Sequence, residues 1–294
     1  MKIGLFLALF HDRSLGDALA TARDLGCQAV EVSTTGPHGH EDIAAQATAY
    51  GLQLTALSCH GNPLHPNSGV AEDANRAFRE TVHRAADAGI DTVVTFSGCP
   101  GESEHSLRPS WVTCSWPDDF LETLDWQWNE RVLPFWAEAA DFARGHGVRV
   151  AIEPHPGQAV YNTDTMLRLR AAAGDTVGVN FDPSHLFWQQ IDPIASARAL
   201  GSAIFHVHAK DTGFNLDRLR LNGVLETHVD TDERAWIFRS VGDGHPVEFW
   251  RELVVALQEG GYDNVLSIEY EDPLRPPHEG VRRAVETLSA AISG

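Results

Sequence analysis

The chain has 294 residues, 43% hydrophobic and 21% charged, the composition of a folded globular protein. Lys and Arg number 22 against 41 Asp and Glu, a formal charge of −19. That balance argues against a nucleic-acid binder, whose phosphate contacts need clustered basic residues, and against docking on an anionic membrane surface.

The N-terminal run MKIGLFLALFHD carries one Lys, has no small-residue cleavage site and meets an acid at Asp12, so it reads as a first strand and not as a signal peptide. Strands are expected at Ile3–Leu9, Ala29–Ser33, Leu52–Ser58, Thr92–Phe96, Val148–Glu153, Val177–Asp182, Ala203–His208 and Asn264–Glu269. Each is a nearly continuous apolar run, as parallel strands covered on both faces require. Helices are expected between them, at Ser14–Leu25, Glu41–Tyr50, Ala71–Ala88, Glu130–Gly145, Thr163–Ala173, Pro193–Leu200, Pro246–Glu259 and His278–Ile292. A glycine follows many of these (Gly26, Gly51, Gly89, Gly147, Gly260), where a left-handed cap is easiest. Eight strand-then-helix units without an internal linker, and without GxGxxG after the first strand, predict an α/β fold of the (β/α)8 TIM barrel type. It is expected to be a single domain over residues 1–294.

Two connections are too long for turns: Ser97 to about Asn129, with Trp111, Trp116, Trp126 and Trp128, and Lys210 to about His245, with Trp236 and Arg239. Both follow strands, so both are expected over the C-terminal face, where barrel enzymes do chemistry. The first is expected to act as a lid or substrate cover; the alternative is a packing insertion or an oligomer contact. No stretch approaches the roughly 18 apolar residues of a membrane span. The cysteines, Cys27, Cys59, Cys99 and Cys114, lack metal-finger or redox spacing, which fits a cytoplasmic protein.

The chemistry gathers at four strand ends: Ile152-Glu153-Pro154-His155-Pro156, Asn180-Phe181-Asp182-Pro183-Ser184-His185, His206-Val207-His208-Ala209-Lys210-Asp211 and Ser267-Ile268-Glu269-Tyr270-Glu271-Asp272. Capping does not explain four successive strands that each deliver a carboxylate or imidazole, because caps use short side chains. Glu153, Asp182 and Glu269 with one histidine form an oxygen-rich set suited to Mn²⁺ or Mg²⁺, with Zn²⁺, Co²⁺ and Ni²⁺ as competitors. The alternative is a buried ion-pair network. His60 and His65 follow the third strand on the same face, and His60 is a candidate for substrate or metal contact. Phe10, His11 and the tryptophans are candidates for an aromatic wall, with core packing as the alternative. His105, His146 and His228 are expected at the surface, and Lys210 either pairs with Asp211 or steadies a substrate oxygen.

The motifs IEPHP, GVNFDPSH, FHVHAKD and LSIEYE, with SCHGNPLHP in support, resemble the xylose-isomerase-like TIM barrels, a family of sugar phosphate isomerases and epimerases, over nearly the whole chain. The resemblance to its ketose 3-epimerase branch implies that Glu153, Asp182, His208 and Glu269 bind one divalent ion, that Glu153 and Glu269 carry the proton, and that His185 touches substrate. That branch has a further Glu where this chain has Ala159 and an Arg where it has Phe214, so its substrate grip is not reproduced. Glu153-Pro154-His155-Pro156 resembles instead the catalytic subunit of bacterial C-glycoside deglycosidases, which implies His155 as acid/base in an eliminating lyase, with a small accessory subunit as partner. The expected function is thus a metal-dependent sugar isomerase or epimerase, manganese being the most natural ion. The substrate is expected to be an unphosphorylated sugar or keto-sugar contacted by His185, His60, Lys210, Trp111, Trp116 and Arg239, with a homo-oligomer as the candidate assembly. Glycoside elimination is the alternative chemistry. An endonuclease of this superfold acting on abasic DNA, and a non-catalytic sugar-binding protein, are the distant ones.

Overall fold

The structure, a computed structural model, describes residues 1–39 and 42–294; the expected helix start at Glu41 lies outside them. Eight parallel strands close into a barrel in the order β1-β10-β7-β6-β5-β4-β3-β2. They are β1 (Lys2–Phe6), β2 (Ala29–Ser33), β3 (Gln53–Ser58), β4 (Thr92–Phe96), β5 (Arg149–Glu153), β6 (Val177–Phe181), β7 (Ile204–Ala209) and β10 (Val265–Ile268). Their near-complete burial follows from their composition: β6 and β7 are buried at every position, as strands covered on both faces must be. Register aligns the chemistry at the strand ends, pairing Phe96 with Glu153 and Ser267 with His208.

Between the strands lie α1 (Leu15–Asp24), α2 (Ile43–Ala49), α3 (Ser68–Asp87), α4 (Asp118–Trp126), α5 (Leu133–Gly145), α6 (Thr163–Ala173), α7 (Ser184–Phe187), α8 (Pro193–Leu200), α9 (Leu216–Asn222), α10 (Val247–Glu259) and α11 (Pro277–Ser293). The expected Thr163–Ala173 and Pro193–Leu200 match as written, because each has a strong start signal. Asn162 closes a capping box with Thr165, and Asp192 accepts from the amides of Ile194 and Ala195 ahead of Pro193. Of the helix-end glycines, Gly26 has φ +95°, as a left-handed cap requires, but Gly260 stays right-handed and Gly261 takes the positive φ of +88°.

Several expected boundaries shift. The first strand stops at Phe6, and Leu7–Phe10 turns into a 3₁₀ helix. The 97–129 connection has its own helix α4, followed by a π-helical stretch at Gln127–Val132, so α5 begins three residues later than expected. The 210–245 connection contains an antiparallel hairpin of β8 (Asp211–Phe214) and β9 (Trp236–Arg239), with α9 between them. The sequence pattern shows neither set of elements, because short elements in polar, glycine-bearing segments are stabilised by tertiary contacts.

Residues 1–32, 42–55 and 181–294 form one compact unit, and residues 33–39 and 56–180 another. In the first, α10 and α11 bury Trp250, Leu253, Leu257, Ala284 and Leu288 at helical spacing. In the second, Trp128 and Trp136 are the largest buried side chains. The Trp136 indole donates to the Ser97 carbonyl at 2.9 Å, and Gln127 Nε2 donates to the carbonyls of Gly101 and Ser110, which ties down the start of the long connection. Among the described residues no helix is long and apolar enough to cross a membrane.

Candidate metal and substrate site

In the first unit, the period of two along β7 turns His206 and His208 to the same side, and both are buried. Each faces Oε2 of Glu31 on β2, at 2.9 and 2.8 Å from Nε2. Burial by itself would raise the Glu31 carboxyl, but the His208 and His206 rings outweigh it and hold that group far below the usual carboxylate range. The other nitrogen of His208, Nδ1, lies 3.2 Å from Oε2 of Glu269. Asp182, just past β6, is buried; its Oδ1 accepts from the Ser184 amide at 2.8 Å, and its Oδ2 lies 3.2 Å from His185 Nε2. His185 is fully buried, edge-on to Phe238.

Lys210 joins these acids. Its Nζ lies 2.8 Å from Glu271, 3.0 Å from Glu269 and 3.7 Å from Asp182, and 4.2 Å over the Phe238 ring. The expected pairing of Lys210 with Asp211 is therefore wrong. Asp211 instead accepts from the backbone amides of Thr212, Gly242, Gly244 and His245 and from His245 Nδ1. Successive residues of a strand face opposite ways, so neighbours in sequence do not meet.

His11 lines a cavity of about 220 Å³ with Phe6, Glu269, Tyr270 and Glu271. Phe10 is core instead, 2% exposed beneath the Arg13 guanidinium. Arg239, expected to touch substrate, is held by Asp272 at 3.2 Å and Asp243 at 3.6 Å, and borders a second cavity of about 620 Å³ with Arg234 and Trp236.

In the second unit, Glu153 ends β5 and is 2% exposed. Asn180 Nδ2 donates to its Oε2 at 2.8 Å, and His60 Nε2 stands 3.6 Å away. The rings of His60 and His155 pack on Phe96 at 4.5 and 4.7 Å. His155 Nδ1 lies 2.8 Å from the Pro156 carbonyl, which only accepts, so Nδ1 carries the proton. Of the tryptophans, Trp128 is core under Arg168, Trp126 is half-buried, Trp111 meets Tyr161 edge-on and Trp116 is 76% exposed. His105 and His228 are exposed as expected, but His146 is half-buried against His83 and Phe142.

The sequence reading missed Glu31, Asn180 and Asp211. A signal existed for the first two: an ionisable or amide residue in the middle of an otherwise apolar strand, as in Ala29-Val30-Glu31-Val32, is costly unless it is paired.

The sequence matches the xylose isomerase-like TIM barrel family over residues 19–291, and the chain belongs to that family. It is 36% identical to the YfiH protein of Bacillus subtilis (strain 168) over 297 residues, covering 94% of this chain and 95% of that one. It is 29% identical over 159 residues to a protein named inosose dehydratase from Serratia proteamaculans (strain 568), covering 52% of this chain and 51% of the relative. Among solved structures, a D-tagatose 3-epimerase-like protein shares the fold with a TM-score of 0.70 at 19% identity, over 100% of this chain and 97% of the other.

Proposed function

We propose that this protein is a divalent-metal-dependent sugar isomerase or epimerase that moves a proton at a carbon next to a carbonyl of a small carbohydrate. The observation that carries this reading is the convergence of Asp182, His208 and Glu269 from the ends of three neighbouring barrel strands. Asp182 is buried and Glu269 half-buried, and although Lys210 stands by both, Asp182 Oδ2 accepts no hydrogen bond among the described residues. Buried acids of this kind call for a cation. Glu153, which ends β5, is the fourth ligand that this reading assigns to the ion. Three carboxylates and an imidazole suit Mn²⁺ first, with Mg²⁺, Co²⁺, Zn²⁺ and Ni²⁺ as competitors. An ion there supplies Lewis-acid polarisation of a carbonyl and a neighbouring hydroxyl. Glu153 and Glu269 take up and return the proton. His60, His185, Lys210, Trp111 and Trp116 are the residues this reading assigns to sugar contact.

Elimination is the second reading, as in a dehydratase or a 3-oxo-glycoside lyase. The proton on His155 Nδ1 favours it, because the ring's second nitrogen then carries the lone pair that an acid/base group needs.

One experiment tests both readings. The protein is stripped with EDTA, reloaded with Mn²⁺, and assayed on a ketose panel, on an inosose and on a 3-oxo-glucoside, as wild type and as His155→Ala. Activity is expected to vanish with EDTA and return with Mn²⁺. If elimination is the reaction, His155→Ala loses roughly 10²–10⁴-fold in rate with metal retained; if epimerisation is, KM rises and kcat holds. Full turnover by the stripped protein ends the metal-dependent reading.

A further inference from the structure

Glu31 sits mid-strand among Ala29, Val30, Val32 and Ser33, with no exposed surface. Its two oxygens are used unequally. Oε2 faces His208 Nε2 at 2.8 Å, His206 Nε2 at 2.9 Å and Ser267 Oγ at 3.2 Å, whereas Oε1 accepts no hydrogen bond among the described residues. A carboxylate oxygen only accepts, so both facing nitrogens carry protons. His206 Nδ1 is buried without a hydrogen-bond partner among the described residues, which is tolerable for a lone pair and costly for an N–H. His206 is therefore held with a proton on Nε2.

The same constraint acts on His208 with a different consequence. With its proton on Nε2, its lone pair lies on Nδ1, 3.2 Å from Oε2 of Glu269. A lone pair and a carboxylate oxygen at that distance repel unless positive charge lies between them. The Phe6 ring stacks on His208 at 5.5 Å and 19°, which limits rotation of the imidazole plane.

We propose that Glu31 is a positioning residue for the ion site: by holding the Nε2–H of His208 it fixes the tautomer and aims the Nδ1 lone pair at the divalent ion. This rests on the metal-dependent reading of the site. His206 shares the same carboxylate oxygen and does not ligate. A buried carboxylate behind a ligand imidazole also raises the basicity of that ligand.

The test uses the full-length protein. Mn²⁺ affinity is measured by competition with a fluorescent chelator for wild type and Glu31→Gln, and the histidine rings of the ¹⁵N-labelled, Zn²⁺-loaded wild type are assigned by long-range ¹H–¹⁵N correlation. The expected result is a loss of about 10–100-fold in Mn²⁺ affinity for Glu31→Gln, together with a solvent-protected proton on His208 Nε2. Wild-type affinity in a folded Glu31→Gln overturns the proposal, and so does a His208 ring protonated on Nδ1. The ring assignment decides by itself if Glu31→Gln fails to fold. Wild type that binds neither ion removes the metal-dependent reading together with this one, whereas wild type that binds while Glu31→Gln binds equally well removes only the role of Glu31.

Discussion

Asp211 offers the sharpest test of how the β8–β9 insertion is held. Its Oδ2 accepts from the amides of Gly242, Gly244 and His245 at 3.0, 3.1 and 2.9 Å, and its Oδ1 accepts from the Thr212 amide and His245 Nδ1 at 2.8 and 2.7 Å. The side chain and Thr212 are fully buried, so water cannot replace the carboxylate at the Thr212 amide. In Asp211→Asn the less costly orientation points the amide nitrogen at Thr212 and His245. His245 can switch tautomer and accept, but the Thr212 amide is orphaned, at about 1–3 kcal/mol, and the three remaining bonds lose their charge assistance. A loss of about 2–4 kcal/mol follows, and Asp211→Ala, which orphans four backbone donors, should cost about 4 kcal/mol or more. The space left by the carboxylate cannot be closed by a side chain at Gly244, whose Cβ would stand 2.3 Å from the Thr212 carbonyl oxygen. Urea unfolding followed by tryptophan fluorescence measures the difference. If Asp211→Asn unfolds within about 0.5 kcal/mol of wild type, as an ordinary surface substitution does, the argument from orphaned amides is wrong.

Two further outcomes are expected. Asp272 is pushed up by burial but pulled below its usual range more strongly by the amides of Ser240 and Leu274, the Ser240 hydroxyl and Arg239. Its contribution is therefore complete above the unfolded pKa of about 3.9 and is lost as pH falls through the lower folded value. Wild type and Asp272→Asn should differ in unfolding free energy at neutral pH and converge in acid; a gap that persists undiminished at low pH refutes the assignment. Burial pushes Cys27 up to about 12 and Cys59 and Cys99 up to about 11, while Cys114 is exposed. An aromatic disulfide reagent at pH 8 should titrate Cys114 rapidly in the folded protein and the other three only in denaturant; rapid reaction of a second thiol contradicts the burial.

Much of this molecule was legible from sequence because its signals are local. Apolar runs of strand length, helix starts such as Asn162 with Thr165 and Asp192 before Pro193, and glycine at helix ends define a barrel without reference to contacts. The acids and histidines at successive strand ends mark the working face, since parallel strands in a closed barrel end on the same side. Other features depend on distance across the sheet. Lys210 turns to Glu269, Glu271 and Asp182 and not to its neighbour Asp211, and Glu31 meets His206 and His208 across 175 and 177 residues of chain. Sequence shows which side chains can carry charge. Only barrel closure decides which of them share a buried carboxylate, because it brings Glu31 on β2 to His206 and His208 on β7, and the cost of an unpaired charge is set by neighbours that the local chain does not contain.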